Sequence, residues 1–543
     1  MKKQDIPVID LFAGPGGLGE GFSSLANFDG VRAFKIALSI EKDQYAHETL
    51  TLRSFFRQFA PNQVPGDYYK FLKGAITLKQ LYDRHPLQAA NAFHEAWLTT
   101  LGDSKDAVSK DILDNRIREA LKSEKNWILI GGPPCQAYSI VGRSRRQEKI
   151  LDEQKDERVG LYKQYLRILA VHNPAVFVME NVKGLLSAET EKSPVFTKIL
   201  KDLANPVDAY YQDFGRNGIQ IICPGYKIYS LAVKSEKFDD NGSPIHKQKD
   251  FIIHAEKYGV PQTRHRVILL GVRNDLAVIP EILKETEEVA IMKVLADLPR
   301  LRSGLSKQKD DNENWKRAIQ NITKNGFLSG APKSIKLKIF KEIAKLRIPQ
   351  NGKGSKFIHT EKAAIGYVPE WFIDNQIGGV CNHEARGHMA SDLRRYFFVS
   401  CFGVSERKSP KLEDFPKPLL PNHGNVTEGI EQKKFADRFR VQLSYKPAKT
   451  ITSHISKDGH YYIHYDPTQC RSLTVREAAR IQTFPDNYYF CGPRTAQFAQ
   501  VGNAVPPLLA NKIAKIVFKI FQIENMVIDD GKKRIETAEG QFA

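Results

Sequence analysis

The chain has 543 residues, 41% of them hydrophobic and 26% charged, which is room for roughly three domains with ordinary cores. Lysine and arginine outnumber aspartate and glutamate by 81 to 62, and the net charge of +19 favours an anionic polymer as partner. No run of about 18 apolar residues occurs, the N-terminal "MKKQDIPVIDLF" meets an acid and a proline early, and six cysteines lack paired spacing; together these argue against membrane insertion, export and a disulfide framework, and for a reducing cytoplasm.

Taken in chain order, apolar strand runs are expected at 8–12, 36–40, 127–130, 175–179, 228–233 and 267–271, with helix-like segments between most of them. That alternation predicts a mostly parallel sheet. In "PVIDLFAGPGGLGEGF" the first strand runs into a glycine turn and a helix starting near Leu18, and Gly14, Gly16 and Gly19 have the spacing that lets backbone approach an adenosine-type cofactor. Glu41, at the acidic end of the second strand, is spaced to hold ribose hydroxyls. On these residues alone a nicotinamide enzyme is an open rival. Residues 68–125 exceed a simple crossover and carry helical patterns such as "QAANAFHEAWLTTL", so they are expected to form a helical insertion.

The third run leads into Gly131-Gly132-Pro133-Pro134-Cys135-Gln136, where consecutive prolines stiffen the backbone and set a cysteine at the carboxyl end of a strand. A thiolate nucleophile is held in such a place, although most cysteines after strands are inert core. The fourth run, "AVFVMENVKGLL", puts Glu180 at the end of its own strand, and "YGVPQTRHRVILLGVR" places Arg264 and Arg266 at alternate positions entering another. From about 285 to 450 the alternation fades and the composition turns basic. There Ile335, Ile339, Ile343 and Leu346 follow helical spacing amid lysines. Cys381, His383, His388 and Cys401 fit no zinc spacing, so no metal site is assigned; polar packing or DNA contact is the simpler reading. Thr474 with Glu477 forms a capping-box pattern, "VGNAVPP" follows at 501–507, and a helix from Pro507 to Ile523 is expected to pack back on the first domain.

These six blocks in this order resemble the DNA (cytosine-5) methyltransferase family, with matches from residue 8 to about 523. The resemblance implies an α/β, Rossmann-like doubly wound sheet that binds S-adenosyl-L-methionine (AdoMet), with a smaller irregular target-recognition domain. The expected division is 1–285 catalytic with the insertion at 68–125, 286–450 target recognition, 451–525 catalytic again, and 526–543 a polar tail. It further implies Cys135 as nucleophile at carbon 6 of a flipped cytosine, Glu180 at N3, and Arg264 and Arg266 at O2. Phe12, Gly14, Gly16, Glu41, Pro134, Asn503 and Val505 would line the AdoMet pocket. Asp67 in "VPGDYY" would meet the adenine amino group, although the insertion after it departs from the family pattern. Arg143, Arg145 and Arg146, in the polar segment after Cys135, would meet DNA phosphates. Double-stranded DNA is the expected partner of a monomeric modification enzyme in the bacterial cytoplasm or nucleoid, with a cognate restriction endonuclease encoded separately. A transfer-RNA cytosine methyltransferase and a DNA-binding relative without activity are the alternatives; the basic second domain favours DNA, and the full set of catalytic residue types argues against lost activity.

Overall fold

The computed structural model describes residues 5–27, 30–61, 63–102, 104–133, 157–187, 195–216, 220–360, 365–421 and 438–539, with backbone alone at 157–159 and 525–539. Its centre is an eight-stranded sheet built from β1 (Ile6–Leu11), β2 (Phe34–Glu41), β3 (Ala96–Leu98), β4 (Ile128–Gly131), β5 (Val176–Val182), β6 (Tyr226–Ser230), β7 (Ile252–His254) and β9 (His265–Arg273). The order is β3-β2-β1-β4-β5-β9-β6, with β7 also on β9; the two-residue β8 (Gln262–Thr263) lies outside it and pairs with 448–449. Strands β1 to β5 pair in parallel, whereas β9 runs antiparallel to β5, β6 and β7.

Alternation along each strand divides the core between the two faces. Val8, Ile36, Ile130, Val178 and Leu270 face one layer, where they meet Phe22 of α1 (Gly17–Ser23) and Leu509, Ile513 and Val517 of the C-terminal helix Pro507–Glu539. Ile9, Leu38, Leu129, Phe177 and Leu269 face the other, against Ile117 of Lys110–Leu121, Tyr165 and Ile168 of Glu157–His172, and Ile199 of Val195–Ala204. The first layer therefore joins the two ends of the chain across one sheet face. An added Cβ on Gly21 would stand 2.4 Å from Ala510 Cβ, so α1 and the terminal helix pack backbone to backbone. That helix continues through Glu539, across the stretch expected to be a polar tail.

Two further differences from the sequence reading concern the insertion and the second domain. Residues 68–125 are not wholly helical, since β3 lies among them and extends the sheet beyond β2. Its three residues, Ala96-Trp97-Leu98, directly follow the helix Pro86–Glu95, so a helical pattern hid the change of conformation. A separate core gathers Leu305, Trp315, Ile335, Ile339, Phe398 and Cys401, and it also takes in Val441, Ile463 and Cys470. The expected boundary at 450 thus falls inside that core. Among the described residues no helix is long and apolar enough to cross a membrane.

Candidate active site

Strand register decides what meets at the sheet's edge. Leu11 pairs with Gly131, Gly131 with Met179, and Glu180 with Ile268. The next residues, Phe12 and Gly132, therefore emerge with Glu180 along one carboxyl edge, where open α/β sheets bind ligands. They border a cavity of about 370 Å³, also lined by Asp10, Gly14, Glu41, Leu101, Asn503 and Val505.

The turn after β1 is conformationally demanding. Phe12 and Gly14 have φ of 57° and 58°, and Gly16 has 93°, a backbone that costs a non-glycine residue energy. Gly17 is required by space, since an added Cβ would lie 2.3 Å from the Val505 carbonyl oxygen. The Glu41 carboxylate fixes this turn: Gly14 N–H donates to Oε2 at 2.8 Å, and the N–H groups of Lys42 and Asp43 donate to Oε1 at 2.8 and 2.7 Å. Oε2 retains a lone pair for a hydroxyl on the cavity side.

Asp10 is a site residue that the sequence reading missed. Neither of its buried oxygens has a hydrogen-bond partner, and burial pushes its carboxyl up to about 8. An acid inside the apolar run "VIDLF" was the available signal, because an unpaired buried carboxyl is costly unless a ligand or proton satisfies it. Leu101, beyond β3, was missed with that strand.

On the reacting side, Glu180 Oε1 forms an ion pair with the Arg266 guanidinium, 2.9 Å from Nε, with the two side chains 14% and 18% exposed. Asn181 Nδ2 donates to the Pro133 carbonyl at 3.1 Å, so β5 holds the backbone just ahead of Cys135. Arg264 has a different setting. Its guanidinium is buried and donates to the carbonyls of Ile451 at 2.8 Å and Gly502 at 3.3 Å, and burial, then the Arg266 charge, lowers it to about 9. Gln262 is likewise internal, donating to Gln482 Oε1 at 2.6 Å and accepting from Ile451 N–H at 3.0 Å. The structure therefore brings Glu180 and Arg266 together and gives Gln262 and Arg264 to the joint between β8 and the chain's last third.

Asp67 requires a correction. It stands on the helix Gly66–Leu72 outside the cavity, paired with Lys70 at 3.0 Å and Arg84 at 2.8 Å and close to His85. Those pairs lower its carboxyl pKa, the Lys70 hydrogen bond first. Pro134, Cys135, Arg143, Arg145 and Arg146 lie outside the described residues. The helix Val475–Ile481 has the expected capping box, Glu477 N–H donating to Thr474 Oγ1 at 3.2 Å and Thr474 N–H to Glu477 Oε2 at 2.8 Å. Its charged residues face inward: Arg471 grips Glu477 at 2.6 and 2.7 Å, and Arg480 grips Asp486 at 2.7 and 2.9 Å. His383 is buried between Thr474 Oγ1 and the Pro299 carbonyl, at 2.9 and 2.8 Å. That is polar packing, and it ties the strand Gly379–Glu384 to this helix.

A mostly parallel sheet with a glycine turn, an acidic second strand and a carboxylate–arginine pair at its edge defines a Rossmann-like α/β protein. A family profile described as C-5 cytosine-specific DNA methylase matches residues 87–208 and 227–519. M.Bpa9945I, a type II methyltransferase of Bacillus paralicheniformis, is 32% identical over 528 residues, covering 94% of this chain and 98% of the relative. M.DdeI, a type II methyltransferase of Desulfomicrobium norvegicum, is 26% identical, covering 96% and 91%. M.ApeKI, a DNA (cytosine-5-)-methyltransferase of Aeropyrum pernix, is also 26% identical, covering 72% and 81%. The chain belongs to the C-5 cytosine-specific DNA methylases, and it is a DNA (cytosine-5-)-methyltransferase. Membership implies use of AdoMet and a DNA substrate.

Proposed function

We propose that this enzyme methylates carbon 5 of a cytosine rotated out of a specific duplex site, working as the modification half of a type II restriction-modification pair. The observation that carries the reading is the shared edge where Gly132 and Glu180, the latter paired with Arg266, meet the cavity that Asp10 and Glu41 also line. The cavity suits AdoMet chemically: Asp10 offers an unpaired carboxyl to a cationic ligand, Glu41 a free lone pair to a ribose hydroxyl, and Phe12, Gly14, Gly16, Asn503 and Val505 supply walls or close backbone. Bound there, AdoMet supplies an electrophilic methyl group.

Carbon 5 of cytosine is too weak a nucleophile without activation. In the proposed sequence the Cys135 thiolate adds to carbon 6 while the Glu180 carboxyl gives a proton to N3, which raises electron density at carbon 5. Arg266, held by Glu180, meets the charge that develops at O2; Arg264 holds the strand that presents Arg266. After carbon 5 has gained its methyl, a base removes the hydrogen there and the Cys135 thiolate departs. Arg143, Arg145 and Arg146 contact phosphates, and the core around Trp315 and Phe398 carries the surface that reads the site. The proposed partners are duplex DNA and a separately encoded endonuclease.

A duplex with 5-fluorocytosine at the recognised site tests this, because fluorine cannot leave as a cation. With AdoMet present, a protein–DNA complex that survives denaturation should form, and peptide mapping should find Cys135 attached. No adduct, under conditions where the unmodified duplex is methylated, overturns the covalent mechanism; trapping by fluorinated transfer RNA and not by the duplex overturns the DNA assignment.

A further inference from the structure

On the far side of β9 from Arg266 lies a group of side chains that the methylation chemistry does not use. His254 ends β7, His265 begins β9, and the two are direct cross-strand partners. Their rings stand 4.1 Å apart between centroids, inclined by 46°. Glu256, in the short helical turn between them, projects into the same space: its Oε1 is 2.7 Å from His265 Nε2 and 3.8 Å from His254 Nδ1. We propose that His254, Glu256 and His265 form a binding site for a divalent transition-metal ion, with zinc the best match.

Spacing supports the assignment. Two ligand atoms each about 2.0–2.1 Å from a tetrahedral ion lie about 3.3–3.4 Å apart. The measured 2.7 and 3.8 Å bracket that value, and the three ligand atoms all lie within 4.8 Å of one another, so small side-chain rotations bring them onto one ion. The second observation is Glu256 itself. The residue is only 7% exposed, and its Oε2 is buried with no hydrogen-bond partner, a costly state that a cation relieves. The donor set also has the right chemistry. Two imidazoles and a carboxylate leave a fourth tetrahedral position for water or another ligand, and imidazole ligates in its neutral form. A lone Glu256–His265 hydrogen bond explains the 2.7 Å contact but neither the adjoining second histidine nor the unpartnered Oε2.

Such an ion would tie β7 to β9 across the 255–264 loop, which carries Gln262 and Arg264 on its way to Arg266. Its effect would fall on the rigidity of that loop.

Cobalt substitution gives a readout independent of methylation. The full chain, stripped with chelator and titrated with cobalt(II), should develop the visible absorption of a low-symmetry, four-coordinate ion at one equivalent, and zinc should displace it. His254→Ala, Glu256→Gln and His265→Asn should each weaken binding at least about tenfold. Zinc should raise the unfolding temperature of the native chain and not that of His254→Ala, which alters a partly exposed ring and tests the site even if Glu256→Gln fails to fold. Absence of stoichiometric binding, or binding that all three variants retain, overturns the proposal; the latter places the ion elsewhere, for instance on cysteines.

Discussion

Asp10 shows what a single buried group does to the molecule. Its neighbours Ile9 and Leu11 belong to one core layer, and Asp10, on the other face of the strand by alternation, borders the cavity with its carboxyl buried beside Gly19 of α1. Burial raises the folded-state pKa to about 8, against about 3.9 in an unfolded chain. Between those values the folded state holds a proton that the unfolded state has released, so this group makes stability fall as pH rises. The slope approaches about 1.4 kcal/mol per pH unit at most. Asp10→Asn should remove that contribution, so that its unfolding free energy relative to the native chain climbs from pH 5 to pH 8 in urea titrations. A difference that stays flat across the range contradicts an unpaired carboxyl. Glu41, by contrast, keeps its charge satisfied by three backbone N–H groups and shapes the turn.

The element that best separates scaffold from chemistry is the β8–β9 segment. Arg266 lies in β9 and Arg264 in the gap between β8 and β9, and Arg264 is wholly enclosed while Arg266 pairs with Glu180. Arg264→Ala would leave the carbonyls of Ile451 and Gly502 without their donor and open a void, a loss of about 2–4 kcal/mol. Arg266→Ala should cost about 1 kcal/mol in folding and at least about a hundredfold in methylation rate. Thermal unfolding and methyl-transfer assays on both variants distinguish them, and equal stability losses would show that Arg266 is also scaffold. This pair also marks the limit of the sequence. Alternation and the strand run placed both arginines at the right edge, because period and position are local properties. Which guanidinium is enclosed depends on Ile451 and Gly502, far along the chain, and no local pattern carries that. For the same reason the glycine turn, Glu41 and the Thr474 cap were legible. β3 was not, since three residues behind a helix are too few to show a period, and Asp67 looked plausible until Lys70 and Arg84 were seen to hold it. The histidine pair was hidden too, because His254 and His265 meet only through β7–β9 pairing.

For the whole molecule, the consequence of this architecture is that the core around Trp315 and Phe398 is separate from the sheet core, with a third apolar core, from Ile291 and Val380 to Val475 and Tyr488, beside it. The sheet core is closed by both ends of the chain, through α1 and the terminal helix. The second core runs from Leu305 to Cys470, and Arg471, just beyond its end, grips Glu477 of the helix Val475–Ile481, whose apolar residues belong with Val380, Ile451 and Phe484 to the third core. A unit that reads DNA can therefore be exchanged only where its own core remains whole. Replacing residues 290–440 by the corresponding region of a related enzyme leaves Val441, Ile463 and Cys470 from one parent against Trp315 and Phe398 from the other, and several mismatched large side chains cost about 1–3 kcal/mol each. That chimera should be insoluble or unfold at a markedly lower temperature. Exchange of 303–470 carries this core as one piece and keeps Arg471 with Glu477, although it sets donor Phe372, Val380 and Ile451 against host Val294, Leu473 and Phe484 and so needs those positions matched as well. The matched chimera should fold, and sequencing of modified cytosines in cells that express it should show the donor's site. A folded, active 303–470 chimera that still methylates the original site would move recognition to another part of the chain, and the helices between Gly66 and Glu95 would be the next to exchange.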